Sequence, residues 1–308
     1  MEIDRLTQQV LDKIDDTGFT QKGAYNLRYN GYALCHGDTE HIKIKKREDG
    51  NPGINVYISG EAQGETVHIP VVIAASGMTD LVYNDFYVEE GALGTIIAGC
   101  GIHNSGCDDS RHDGIHTFHV GKNASVLYAE KHYGEGEGEG GRLLNPETRI
   151  FLAQNAVFTL DTAQIKGVDS TVRTTYVEAM EVAKLFVTER LMTHDAQTAV
   201  SNMEVVLNGV GSSEQIVYRS VAKGSSVQTF HPKAIGNAGC HAHIQCDSII
   251  MEQAKVSSIP EINANHIDAA IIHEAAIGRI NSDQVVKLRT MGLSEEEAES
   301  VIIEAFLN

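Results

Sequence analysis

The sequence predicts a mainly β protein made of many short strands. From Ile54 onward apolar and polar residues alternate, and this period of two is typical of half-buried strands. Similar runs recur as far as Cys246 at the spacing of about 8–12 residues that all-β chains show, with Gly, Asn, Asp or Ser between them. A β-sandwich, a barrel and a β-solenoid all fit this pattern.

Two features favour a solenoid among these three folds. The phrases GKNASV (residues 121–126) and AQNAVF (residues 153–158) resemble each other as Asn-Ala corners that lead into a strand, and stacked coils reuse one turn in this way. Between the strands that follow Ile54, the Asn-Gly signal of a tight hairpin occurs only at Asn208-Gly209. Antiparallel meanders are therefore not indicated.

The N-terminal part differs from the rest of the chain. Ile3, Leu6, Val10, Leu11 and Ile14 have helical spacing, which predicts an amphipathic helix over residues 1–14. The polar, turn-rich stretch that follows, to residue 53, is expected to wrap the body of the protein.

The C-terminal residues predict a helical hairpin. Ser282 is suited to cap a helix from Asp283 to Met291, and Gly292 to end it in the left-handed conformation. Ser294 and Glu297 have the spacing of a capping box for the last helix. That helix has an apolar face, which consists of Val301, Ile302, Ala305 and Phe306.

One internal stretch, TYVEAMEVAKLFVTERL (residues 175–191), fits either a helix or two strands. Helical spacing runs through Val177, Met180, Lys184 and Val187. The residues alone leave both alternatives open.

Composition limits the partners and the compartment. Lys and Arg number 24 against 42 Asp and Glu, and the net charge of −18 repels nucleic acid and anionic lipid. No signal peptide or membrane span is indicated, so the expected location is the cytoplasm. Five cysteines in a reducing compartment favour thiols or metal ligands over disulfides. No G-x-x-x-x-G-K-[ST] loop is present, so any ATP use is expected in another chain.

The main candidate site lies between His241 and Ile280. Cys246 shares the core-facing parity of its strand with Ala242 and Ile244, and a buried structural cysteine is the simpler interpretation. His273 and Glu274 follow in an apolar frame, where ordinary hydrogen bonding is the alternative. Thiolate, imidazole and carboxylate together are a ligand set for iron, zinc or an iron–sulfur cluster.

A second candidate site has the spacing C-x2-H-x3-C-x4-H-x3-H. Its nitrogen and sulfur donors suffice for zinc, although the spacing matches no standard finger and a turn-stabilising histidine cluster is the alternative. The rival function is therefore a zinc-dependent enzyme on a β-helix that uses this cluster. The residues are Cys100, His103, Cys107, His112 and His116.

The C-terminal segments resemble the SufB/SufD family of the SUF iron–sulfur cluster assembly system, in its short archaeal or minimal SufB-like type. QCDSIIM (245–251), IPEI (259–262), HEAAIGRI (273–280) and the helical tail (283–307) carry this resemblance. It implies a right-handed parallel β-helix, and it favours two strands in residues 175–191. The implied organisation is an N-terminal helical and irregular segment (1–53), a β-helix core (54–272) and a C-terminal helical segment (273–308).

The resemblance also implies a function as a scaffold rather than an enzyme. Cys246 would accept sulfur and hold a nascent cluster of the [4Fe-4S] type, with His273 and Glu274 as further ligands. The implied partners are a sulfur donor, apo-protein recipients and a SufC-type ABC ATPase, which would bind the apolar residues Val301, Ile302 and Phe306. Because one chain carries the cysteine and the His-Glu pair, we expect a homodimer in which Cys246 of one copy faces His273 and Glu274 of the other.

Overall fold

The computed structural model describes residues 4–15 and 18–307 and shows a β-solenoid of about eight coils. The helices are α1 (Arg5–Ile14), α2 (Ser282–Thr290) and α3 (Glu295–Leu307). The strands are β1 (Ala24–Tyr29), β2 (Tyr32–Gly37), β3 (Ile42–Lys46), β4 (Gly53–Ile58), β5 (Gln63–Ile73), β6 (Thr79–Val88), β7 (Leu93–His103), β8 (Ser110–Val120), β9 (Ser125–Glu135), β10 (Arg142–Leu144), β11 (Glu147–Leu152), β12 (Val157–Lys166), β13 (Ser170–Ala179), β14 (Lys184–Thr193), β15 (Thr198–Leu207), β16 (Ser213–Ala222), β17 (Val227–Gly236), β18 (His241–Ile250), β19 (Lys255–Ser258), β20 (Glu261–Ala264) and β21 (Ala270–Gly278).

Two long sheets face each other across the core. One has the order β2-β1-β5-β7-β9-β12-β14-β16-β18-β21, and the other runs β19-β17-β15-β13-β10-β8-β6-β4-β3, with β11 and β20 also paired in it. Apart from the pairs β1–β2 and β3–β4, the strand pairs are parallel. The predicted parallel β-helix is confirmed. The ambiguous stretch at residues 175–191 forms β13 and β14, so the prediction of two strands is also correct.

Stacked asparagines hold the corners between the coils. Asn123 and Asn155 both have φ 58°, and Nδ2 of Asn155 donates to Oδ1 of Asn123 at 2.8 Å. A second ladder joins Asn237 to Asn208 and Asn265 to Asn237, each at 2.8 Å. The left-handed backbone at residues 123 and 155 is a conformation that asparagine tolerates well. The repeated Asn-Ala corner inferred from the sequence is therefore a real structural unit.

Asn208 and Gly209 do not form a hairpin turn. That pair lies between β15 and β16, which belong to different sheets. Asn30 and Gly31 instead form the two-residue turn between the antiparallel strands β1 and β2, with φ values of 44° and 78°. Positive φ at both central positions is what a type I′ hairpin turn requires.

The N-terminal helix is confirmed over Arg5–Ile14, and Met1 to Ile3 lie outside the described residues. Its buried face packs closely on β7, because a Cβ at Gly101 would lie 2.1 Å from Cγ1 of Val10. The following segment is not irregular. It contains β1, β2 and β3, which extend both sheets at the start of the solenoid.

The C-terminal helical segment begins later in the chain than predicted. Strand β21 continues to Gly278, so the boundary at residue 273 falls inside a strand and the helices begin at Ser282. The cap of α2 is Asn281, whose Oδ1 accepts from the amide of Asp283 at 2.9 Å. The capping box of α3 is present, with Ser294 and Glu297 bonded to each other's amides at 3.2 and 2.7 Å.

Candidate functional site

Cys246 lies in β18 and faces the core, as its parity predicts. Its neighbours at alternate positions, Ala242 and Ile244, are fully buried, and Cys246 itself is 1% exposed. Tyr218 is paired with Cys246 in the register of β16 and β18, so the two side chains lie side by side on the same inner face. The thiol is therefore held on the inner wall of the solenoid.

His273 joins Cys246 from the next strand. The register of β18 and β21 pairs Ile244 with His273 and Cys246 with Ala275, so the imidazole lies diagonally beside the thiol on the same face. The sulfur of Cys246 is 3.5 Å from Nε2 of His273. One copy of the chain thus brings together two residues that we expected to meet only between two copies.

Glu274 lies on the opposite face of β21. Its carboxylate is exposed, and its Oε1 lies 3.1 Å from Nε2 of His243. Successive side chains of a strand point to opposite faces, and the step from His273 to Glu274 is a single residue. The three predicted ligands are therefore divided into a Cys246–His273 pair inside and Glu274 outside.

Burial sets the protonation of the inner pair. Desolvation raises the pKa of Cys246 to about 11, with the charges of Asp247 and Glu189 adding to the effect. Desolvation lowers the pKa of His273, which the charge of Glu274 opposes. A neutral imidazole offers a lone pair to a metal, whereas the thiol has to release its proton when it becomes a ligand. Metal binding at this pair is therefore coupled to loss of a proton.

The last coil presents an open sheet edge. Strand β21 is the final strand of its sheet, so no strand within the described residues pairs with the other side of its backbone. Several large apolar side chains of this coil are exposed, and Ile267 is 96% exposed. Unpaired backbone and apolar surface together are typical of an interaction site. The exposed isoleucines are Ile259, Ile262, Ile267, Ile272 and Ile277.

The inner pair alone is an incomplete ligand set. Over the described part of the chain, no group of three or more His, Cys, Asp or Glu side chains is arranged to hold a metal ion. A thiol and an imidazole supply two donors, whereas iron–sulfur clusters are usually held by four protein ligands. Any cluster bound here needs further donors from another molecule or from a change in conformation.

The second predicted site is brought together only in part: Cys100, His112 and His116 line one small buried cavity with Glu130 and His132, whereas His103 and Cys107 are not among its lining residues. Cys107 is exposed, and His103 bonds Glu135 at 3.2 Å and Ser105 at 2.7 Å. Cys100 is buried and desolvation raises its thiol pKa, which disfavours the thiolate that zinc needs.

The two remaining histidines of that motif form hydrogen bonds inside the solenoid. Nδ1 of His112 lies 3.1 Å from Asp80, and Nδ1 of His116 lies 2.7 Å from the Tyr128 hydroxyl. Burial lowers the pKa of His116 to about 4, so it stays neutral at physiological pH. These contacts support the alternative of structural histidines over the zinc-dependent enzyme.

A network of buried charges inside the solenoid was not predicted. Arg173 of β13 donates to Glu130 of β9, and its Nε lies 4.0 Å from Glu189 of β14. Burial alone would raise the pKa of Glu130, but the Arg173 charge holds it well below its usual range. The alternation of β13 already indicates that the side chain of Arg173 faces the core.

All five cysteines are unpaired. Among residues 4–15 and 18–307, no helix combines the length and the apolar character that a membrane crossing requires.

Comparison with known proteins identifies the family. Residues 72–306 match the family model of the SufBD core domain of the SUF system for iron–sulfur cluster assembly. An iron–sulfur cluster assembly SufBD family protein of Archaeoglobus fulgidus is 28% identical over 275 residues, which cover 87% of this chain and 71% of that protein. A relative of the same description from Methanocaldococcus jannaschii is 26% identical over 277 residues, covering 88% of this chain and 85% of the relative. The chain therefore belongs to the SufBD family of iron–sulfur cluster assembly proteins.

Proposed function

We propose that this protein is a scaffold on which an iron–sulfur cluster is assembled and from which it is passed on. The observation that carries the proposal is the Cys246–His273 pair, 3.5 Å apart beside an open sheet edge. Cys246 would accept sulfane sulfur from the persulfide of a donor protein, which leaves as its free thiol. A two-electron reductant would then release that sulfur as sulfide, and the thiolate of Cys246 would remain as a ligand. His273 would supply a nitrogen ligand, which binds iron less tightly than a thiolate and suits a cluster that has to leave.

We propose that a second copy completes the site. Each copy offers a thiol and an imidazole, so two copies related by a two-fold axis supply the four donors that a [4Fe-4S] cluster takes. The unpaired backbone of β21 and the exposed isoleucines of the last coil support pairing at this end. Glu274, on the outer face, would join the ligand set only in the paired form, after leaving His243.

The cargo would be loaded and released with the help of an ATPase. This chain has no phosphate-binding loop, so ATP hydrolysis belongs to a SufC-type ABC partner rather than to the scaffold. The terminal helices are the proposed docking element. Phe306 packs against the solenoid and Leu307 is buried there, whereas Val301 is 45% exposed and Ile302 is half-buried. Val301 and Ile302 are therefore better placed than Phe306 for a helix-in-groove contact.

The proposed setting follows from the same chemistry. A site that depends on a free thiol needs a reducing compartment, so we place the protein in the cytoplasm with apo-proteins as the recipients of the cluster. The thiol of Cys246 is buried and its raised pKa keeps it protonated, so it would be protected from wasteful oxidation between cycles.

Anaerobic reconstitution tests the scaffold directly. The protein would be incubated with ferrous iron and sulfide, desalted, and examined by absorption and Mössbauer spectroscopy. Cys246→Ser should lose cluster retention at least tenfold, because a hydroxyl is a much poorer ligand than a thiolate. Cys240→Ser is the matched control, since Cys240 is also buried and lies in the same turn of the solenoid. Equal retention by both variants would move the site away from Cys246.

A further inference from the structure

The opposite end of the solenoid contains a cavity of about 520 Å³. It lies where the first coil opens, between the β1–β2 hairpin and the β3–β4 pair. The ends of solenoids are normally closed by a cap. Here the antiparallel strands spread around the core without filling it, and the space left has the volume of a small-molecule site.

The deep wall of this cavity carries buried polar groups. Asn26 and Arg28 of β1 point into the cavity, while Tyr25 and Leu27 on the other face pack in the cluster around α1. Asn26 is only 8% exposed, and it is among the residues that line the cavity. A side-chain amide that lines a cavity can both donate to and accept from a ligand, so Asn26 offers a polar contact in the wall of the cavity.

The charge of the cavity is opposite to that of the protein. Lys46 and His36 line its mouth, and Arg28 lies deeper, held by Asp80 at 2.6 Å. No Asp or Glu is among the described residues that line the cavity, although the chain has a net charge of −18. Because Asp80 neutralises Arg28, the attraction for an anion rests on the ammonium of Lys46.

The remaining wall is aliphatic. It includes Ile44, Ile54, Ile69, Val71 and Val82. A simple inorganic ion would leave most of this surface in contact with water. An apolar group attached to the anion would cover it and gain the free energy of burial.

We propose that the cavity binds a small organic anion with an apolar body, either a carboxylate or a phosphate monoester. The ammonium of Lys46 would pair with the charge of the anion, and the ring N–H of His36 and the amide of Asn26 would donate hydrogen bonds to the oxygens of the anion. Most of the lining belongs to residues 26–71, which precede the family match at residue 72. The site is therefore an addition to the SufBD core, and it lies at the other end of the solenoid from Cys246.

Fluorine NMR tests this proposal with three probes on the full chain. The probes are 4-(trifluoromethyl)benzoate, 4-(trifluoromethyl)phenyl phosphate and the neutral 4-(trifluoromethyl)benzamide, each titrated against the protein. We expect saturable broadening with at least one of the two anions and at least tenfold weaker binding of the amide. A preference between the two anions would tell a carboxylate ligand from a phosphate ester. Absence of saturable broadening with both anions, or equal binding of the benzamide, would overturn the proposal.

Variants locate the binding. Lys46→Glu should weaken binding of the anion at least tenfold, whereas Lys43→Glu, an equal charge change on the same strand outside the cavity, should leave it unchanged. Asn26→Leu should weaken binding with no change in net charge, and circular dichroism would confirm that both cavity variants are folded. Equal effects of Lys46→Glu and Lys43→Glu would show a general charge effect and refute the site.

Discussion

The sulfur of Cys246 and Nε2 of His273 lie 3.5 Å apart within one chain, on the inner face of two adjacent strands. The two residues are separated by the whole turn of the last coil, and the parallel register of β18 and β21 returns them to the same place. A thiol and an imidazole at this distance are preorganised to bind one metal centre together. The consequences for ligation, pairing and stability are testable.

The first prediction concerns which copy supplies each ligand. Cys246→Ser protomers would be mixed with His273→Ala protomers, and the heterodimer isolated by two affinity tags. Because the pair is formed within one chain, both pairs in this heterodimer are broken, and we expect cluster binding no greater than in either mutant homodimer. Recovery of about half the wild-type iron content would contradict this and would show that the ligands pair between copies.

The second prediction concerns the open edge. Ile272→Lys places a charge on β21, where Ile272 is 50% exposed, and should weaken self-association at least tenfold because charged edge strands resist pairing. Leu127→Lys is the control, since Leu127 is 40% exposed on β9 in the middle of the same sheet. Sedimentation velocity over a range of concentrations measures the association. A dimer that persists unchanged in Ile272→Lys would place the interface elsewhere.

The third prediction concerns the terminal helices. Val301→Asp should abolish co-purification with a co-expressed SufC-type ABC ATPase, the proposed partner, because a carboxylate does not fit an apolar groove. Glu296→Ala, on the same helix, changes an exposed charge and should leave the interaction intact. Deletion after Arg289 is less decisive, because it also removes Leu307 from its contacts with Val221 and Met251.

The fourth prediction concerns the buried charge network. Arg173→Met leaves the ionised Glu130 without its main partner, and breaking a buried pair in this way lowers the free energy of unfolding by about 3–5 kcal/mol. Arg190→Met removes a partly exposed pair with Asp161 and should cost no more than about 1 kcal/mol. Urea denaturation of both variants measures the difference. Similar losses would show that the network contributes no more than surface pairs do.

The fifth prediction concerns pH. Glu214 faces the core of β16, neither of its carboxyl oxygens has a hydrogen-bond partner among the described residues, and burial raises its pKa to about 8. Between its ordinary pKa of 4.5 and about 8, the unfolded carboxyl is ionised while the folded one holds its proton. The contribution of this residue to stability is therefore complete below the lower pKa and is lost as pH rises.

The matched variant is Glu214→Gln, which has the same shape and does not titrate. Relative to this variant, the wild type should lose on the order of 3 kcal/mol of unfolding free energy between about pH 5 and pH 7.5, at about 1.36 kcal/mol per pH unit. Chemical denaturation at the two pH values checks it. Parallel pH profiles for the two proteins would show that Glu214 is not buried as a neutral acid.

Local patterns in the sequence were sufficient for most of the fold. Alternation placed Cys246 on the inner face, the Asn-Ala phrases marked corners that stack at Asn123 and Asn155, and the spacing of Ser294 and Glu297 gave the capping box. Each of these features depends on residues within a few positions of one another, which is the range over which such patterns act.

Features that depend on distant pairing were missed. The contact between Cys246 and His273 follows from a register set by the intervening coil, and no local pattern fixes that register. The division of His273 from Glu274 was readable from strand parity, but only once β21 was known to be a strand rather than the start of a helical segment. The Arg173–Glu130 pair was missed for the same reason, because its partners come from different sheets.

The asparagine ladders have a consequence for how such a protein changes in evolution. Asn208, Asn237 and Asn265 occupy equivalent corners of successive coils, and each forms a hydrogen bond to the next. A whole coil could therefore be inserted or removed without changing the type of corner on either side of it. Duplication or loss of one unit would leave both termini intact and would move the N-terminal cavity about 4.8 Å relative to Cys246, the spacing of adjacent strands. The distance between the two ends of the solenoid would therefore change in steps of one strand spacing as coils are gained or lost.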